Sequence, residues 1–67
     1  MALIEVGQRY RELGAAGAVW QVVGVAKEWD GIRHYRIAKL VDPSTVKLLS
    51  ESILTDTRHF RRESTGN

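Results

Sequence analysis

From Ala18 to Val41 two runs rich in valine, isoleucine and aromatic residues flank Trp29-Asp30-Gly31, the pattern of two antiparallel strands joined by a tight turn. A loop of those three residues, with glycine in its left-handed position, sets Glu28 opposite Ile32. Each step outward then pairs positions whose numbers sum to sixty. Val25 faces Tyr35, Val23 faces Ile37, Val19 faces Val41 and Gln21 faces Lys39, so Val19, Val23, Val25, Tyr35, Ile37 and Val41 point to one dry side. The other face joins Trp20 to Leu40, Val22 to Ala38, Gly24 to Arg36 and Ala26 to His34, and is half apolar. A two-residue Asp30-Gly31 turn would set Val25 against Arg36 and Val22 against Lys39, mixing apolar and charged side chains on both faces. The longer loop is therefore the expected one.

Turn signals elsewhere are spaced as in a small all-β domain. Gln8 to Leu13 is the expected first strand, anchored by Tyr10 with Arg9, Arg11 and Glu12 at polar positions, and Gly14-Ala15-Ala16-Gly17 turns the chain. After the hairpin, Asp42-Pro43-Ser44-Thr45 fits a type I turn, with proline presetting φ and aspartate accepting from the backbone. Strand four follows as Val46-Lys47-Leu48-Leu49. Ser50 is placed to cap one short 3₁₀ turn over Glu51-Ser52-Ile53-Leu54. His59-Phe60-Arg61-Arg62 makes the last strand with Phe60 inward, and Ser64-Thr65-Gly66-Asn67 is a polar tail. The domain so read spans residues 1–63, with 64–67 flexible.

Five strands with a helical turn before the last describe an all-β, small five-stranded SH3-like barrel, a scaffold that hosts many unrelated binding functions. The pattern Gly7-x-x-Tyr10-Arg11 followed by Gly17-x-x-Trp20-x-Val22-x-Gly24-Val25-Ala26 resembles the start of small uncharacterised bacterial domains of SH3-like outline. The resemblance covers about the first half of the chain. It implies a fold without an assigned activity and transfers no catalytic residue.

A chain of 67 residues holds one domain, whose core buries only about 60% of the unfolded surface and supplies roughly 3–5 kcal/mol. Homodimerisation is a natural supplement. Cysteine is absent, so neither disulfides nor thiolate metal sites reinforce the fold. The stretch Met1-Ala2-Leu3-Ile4-Glu5-Val6 has no basic leader character, and no apolar run is long enough to span a bilayer, so a cytoplasmic location is expected. The formal charge is +2, and the excess lies in residues 34–67, which carry six basic and four acidic side chains. Its densest point is Arg58-His59-Phe60-Arg61-Arg62.

Candidate chemistry is sparse. His34 and His59 sit at polar strand positions, and neither they nor the scattered carboxylates show metal-ligand spacing. Ser50, Ser52, Asp56 and His59 lie too close along one turn to build a catalytic triad. The glycines at 14, 17 and 24 lack the lysine and helix of a phosphate loop. No cofactor and no enzymatic activity are expected, which leaves binding. One candidate is a protein or self-association surface on the half-apolar face of Trp20, Val22, Ala38 and Leu40, unless the sheet's own curvature covers it. The alternative is single-stranded nucleic acid held by Arg58, Arg61, Arg62, Arg36 and Lys39, with Trp29 as a stacking platform. A protein partner or second copy ranks ahead of nucleic acid, and no membrane is involved.

Overall fold

The structure is a computed structural model that describes residues 4–14 and 17–63. Parts of the expected Gly14–Gly17 turn and the polar tail lie outside the described residues. Strands β1 (Arg9–Glu12), β2 (Val19–Val25), β3 (His34–Lys39), β4 (Asp42–Ser50) and β5 (Phe60–Glu63) form one antiparallel sheet in the order β4-β3-β2-β1-β5, with helix α1 (Glu51–Leu54) between β4 and β5. Mostly strand, then, with one short helix. β4 and β5 are the two edges, and the sheet is not closed.

The central hairpin departs from the expected register twice. At its tip Trp29 and Ile32 exchange backbone hydrogen bonds of 3.0 and 2.7 Å around Asp30 (φ 51°) and Gly31 (φ 76°). This is the two-residue turn that strand patterning argued against. Two successive positive φ values make the mirror-image turn whose twist matches that of the strands, and aspartate and glycine tolerate them best. An extra residue in the incoming arm then restores the expected alignment, with Ala26 donating to the His34 carbonyl at 2.8 Å and Val25 opposite Tyr35.

The second departure decides the core. Val23 is unpaired, a β-bulge between Val22, opposite Ile37, and Gly24, opposite Arg36. Beyond it the register slips by one, so Gln21 faces Ala38 and Trp20 faces Lys39. The slip turns Trp20 and Val22 onto the side of Tyr35 and Ile37 and expels Val19 and Val23. Of the six residues expected on one dry side, only Tyr35 and Ile37 are buried. Val23 and Val25 are exposed, and Val41, in the next turn, is 86% exposed. The reason is size. An indole buries about 150–250 Å², worth about 4–6 kcal/mol at 25 cal/mol per Å², against about 1.5–3 kcal/mol for a valine. That difference exceeds the roughly 1 kcal/mol of a ladder hydrogen bond lost at the bulge.

The core comprises Ile4, Tyr10, Trp20, Val22, Tyr35, Ile37, Leu54 and Phe60, with Ala18 and Leu49 packed against it. Tyr10 and Phe60 anchor β1 and β5 as the alternation of those segments foretells. The β3–β4 reversal occurs at Leu40-Val41, with Lys39 opposite Asp42, so strand four begins four residues earlier than expected. The Asp-Pro-Ser-Thr segment is a bulge and not the turn: residues 43–45 lie between the Asp42 and Val46 pairings. There the Ser44 and Thr45 hydroxyls each donate to the Asp42 carboxylate at 2.7 Å, holding its carboxyl below the ordinary range. Proline is tolerated because a bulge needs no ladder N–H.

Ser50 caps α1 as its position foretells, its hydroxyl accepting from the Ile53 N–H at 3.3 Å. The turn is α and not 3₁₀, since Thr55 donates to the Glu51 carbonyl at 3.0 Å. Leu54 carries this short element into the core. Leu54→Ala is expected to destabilise the domain by about 2–5 kcal/mol, enough to leave much of it unfolded, whereas Val41→Ala changes stability by less than about 0.5 kcal/mol. Urea unfolding of both variants checks the pair.

Candidate binding surfaces

The bulge divides every functional candidate between two faces of the sheet. Trp20, Val22, Ala38 and Leu40 were expected to share one contact surface. Instead Trp20 is 3% exposed, Val22 is fully buried, and Ala38 is also buried. Leu40 stays partly exposed, in the β3–β4 turn. The packing reading holds for Trp20 and Val22, which join the core, whereas Ala38, opposite Gln21 and Val46, lies on the other side of the sheet. Trp20 Nε1 donates to Glu12 Oε1 at 3.0 Å, and Lys47 Nζ lies 4.5 Å from the indole centroid and 3.7 Å from Glu12 Oε1. β1 and β4 are three places apart in the sheet, about 14 Å when flat. Long side chains meeting over Trp20 from both strands mark how strongly the sheet curls.

The basic residues singled out in the sequence do not converge. Arg58 is consumed locally: its Nε and Nη2 donate to the two Asp56 oxygens at 3.1 and 2.9 Å, and its backbone N–H donates to Oδ1 at 3.0 Å. Arg62 pairs with Tyr10 across β1 and β5, on the core side, while Arg61 pairs with Arg11 on the opposite side. Lys39 sits half-buried opposite Trp20 and Asp42. Trp29 stands at the hairpin tip, its ring edge-to-face with His34 at 4.6 Å. Of the nominated set only Arg36 and Arg61 share the convex face.

Two groups on that face went unnominated. Arg9 and Arg11 flank the inward Tyr10 and so project outward, opposite Gln21 and Val19 on β2 and Glu63 and Arg61 on β5. Period-two alternation about Tyr10 was sufficient to find them. On β4, Val46 (51% exposed) and Leu48 (45% exposed) face outward opposite Ala38 and Arg36.

A pocket of about 200 Å³ opens between β1, α1 and β5, walled by Ile4, Tyr10, Leu54 and Phe60, with Thr55, Thr57 and Arg62 adding polar lining. Burial raises the Tyr10 hydroxyl above its ordinary range, against the pull of the Arg62 charge. The Tyr35 hydroxyl is buried without a hydrogen bond of regular geometry, and its closest electrostatic link is to Arg33, whose proton it helps to hold. His34 Nδ1 lies 3.0 Å from the Ile32 carbonyl, and Ser50 is engaged as a helix cap. Among the described residues no three His, Asp or Glu side chains come together as a metal site, and no helix is long and apolar enough to cross a membrane.

Comparison with known protein families, curated proteins and solved structures returns no match. The surfaces therefore stand on their own chemistry.

Asp56 carries a clear pH signature. The Arg58 side-chain hydrogen bonds, helped by the Arg58 backbone N–H and the charges of Arg58 and His59, hold its carboxyl down from an ordinary 3.8 to about 2. A depressed folded value contributes stability that is fully present above the unfolded carboxyl value and lost as pH falls through about 2. A ¹³C carboxyl titration is expected to show Asp56 with a midpoint near 2, moved toward 3.8 by Arg58→Gln. A midpoint near 3.8 in the unsubstituted protein contradicts the pairing.

Proposed function

We propose that this chain is a non-enzymatic binding module of SH3-like outline, working in the cytoplasm, whose principal contact is with protein, in the first instance a second copy of itself. The strand order β4-β3-β2-β1-β5, the helical turn before the last strand and the strong curl over Trp20 support the SH3-like reading. A cysteine-free chain of this size, with a core of eight side chains, gains from added burial.

The observation that carries the binding reading is the contrast between the two edges. Natural edge strands are shielded by shortness, outward charge or proline. β5 follows that rule, with four residues, Phe60–Glu63, three of them charged. β4 does not. It runs nine residues, its proline lies in the bulge, and its one lysine is turned inward over Trp20. What remains outward on residues 46–49 is Val46 and Leu48, beside a backbone edge that pairs with no other strand among the described residues. Such an edge accepts another strand through main-chain hydrogen bonds, with the outward side chains setting register.

Light scattering across a wide concentration range is expected to show the mass rising from one chain toward two. Leu48→Glu, which sets a carboxylate opposite Arg36, is expected to weaken that association at least about tenfold while leaving the far-UV spectrum unchanged. A mass that stays at one chain throughout removes self-association.

A further inference from the structure

We propose that the convex face of β5, β1, β2 and β3 is a binding site for single-stranded nucleic acid, built from Arg9, Arg11, Arg36 and Arg61. This site is separate from the β4 edge and does not depend on self-association.

The registers place all four guanidinium side chains on one side of the sheet. Arg11 and Arg61 are directly opposed on β1 and β5, where like charges repel at a Cβ separation of about 5 Å. Glu63 relieves only one of them, bonding Arg11 Nε at 2.7 Å. Arg9, opposite Glu63 and Gln21, and Arg61 form no ion pair of their own among the described residues. Four positive charges against the single Glu63 carboxylate leave this face at +3, more than the +2 of the whole chain.

Arg36 adds a second, independent feature. Its partner across β2–β3 is Gly24, and a Cβ there would lie 2.7 Å from Nη2 and 3.2 Å from both Cζ and Nε of Arg36. The guanidinium therefore lies against the glycine, with Nη2 nearest. Gly24 is accordingly buried although it lies on the outer surface. The missing side chain at Gly24 thus makes room for the guanidinium on the outer face, where Arg36 stays exposed. Arginine planes stack on unpaired bases, and arginine forks bind phosphates through two N–H groups. All four positions are arginine and none is lysine, although a surface that reads only net charge is served as well by lysine. That composition favours phosphate and base over a lipid headgroup layer.

The test is fluorescence anisotropy with a short labelled oligothymidylate at low salt, on the full chain. Binding is expected, with log K falling against log salt at a slope of about −2 for three phosphates, and with each of Arg9→Gln and Arg61→Gln removing about 0.7 of that slope. Arg36→Gln is expected to weaken binding several-fold. Gly24→Ala is expected to do the same by lifting the guanidinium, since the added methyl meets only the far end of a flexible side chain. Arg58→Gln, whose residue is tied to Asp56, is expected to bind as the unsubstituted protein does. Absence of binding at low salt overturns the proposal. So does binding that Arg9→Gln and Arg61→Gln leave within twofold, or equal retention on phosphatidylserine vesicles, which reassigns the patch to anionic surfaces in general.

Discussion

One unpaired residue, Val23, sets the interior of this domain. A strand has two faces and a period of two, so a single extra residue exchanges them. By interrupting β2 between Val22 and Gly24, the bulge allows Trp20 and Val22 to join Tyr35 and Ile37 inside while Val25 still aligns with Tyr35 at the strand's end. It also adds local twist, which brings Glu12 and Lys47 together over Trp20 from strands three places apart. The indole has its N–H satisfied by Glu12 and its face covered by Lys47, so the largest side chain of the core is buried without an orphaned donor.

The same event distributes charge. With aromatic residues drawn inward on β1 and β5, at Tyr10 and Phe60, their neighbours Arg9, Arg11 and Arg61 must face out. With Ile37 inward on β3, Arg36 must face out as well, and Gly24 gives it a seat. On β4 the alternation works in the opposite sense. Lysine turns in, and Val46 and Leu48 turn out. The convex surface is therefore cationic toward β5 and apolar toward β4. The two proposed contacts use different strands of the sheet, β5 to β3 for one and β4 for the other, and meet where Arg36 pairs with Leu48.

Much of the local architecture was legible because its causes lie within a few residues. Ser50 precedes a helical turn whose third N–H it bonds, whereas strand patterning argued against the two-residue Asp30-Gly31 turn and placed a turn at the Asp42–Thr45 bulge. Tyr10 and Phe60 as inward anchors follow from alternation alone. The candidate site was legible in part: Arg61 was nominated from a charge cluster and Arg36 as added charge from strand three, whereas Arg58 and Arg62, in the same cluster as Arg61, were separated from it by an Asp56 clamp and by the pleat. Adjacent residues on a strand face opposite ways, so a run of basic residues in sequence is not a patch in space.

By itself, then, the sequence determined that the chain is mostly strand with one helical turn, which residue caps that turn, and which aromatics of the first and last strands point inward. Only the tertiary structure decided which face of β2 is dry, where β4 begins and which edge is left unshielded. Turn and cap energies are local and can be read residue by residue. Register is a competition between whole rows of side chains on neighbouring strands, won here because burying Trp20 outweighs one lost ladder position.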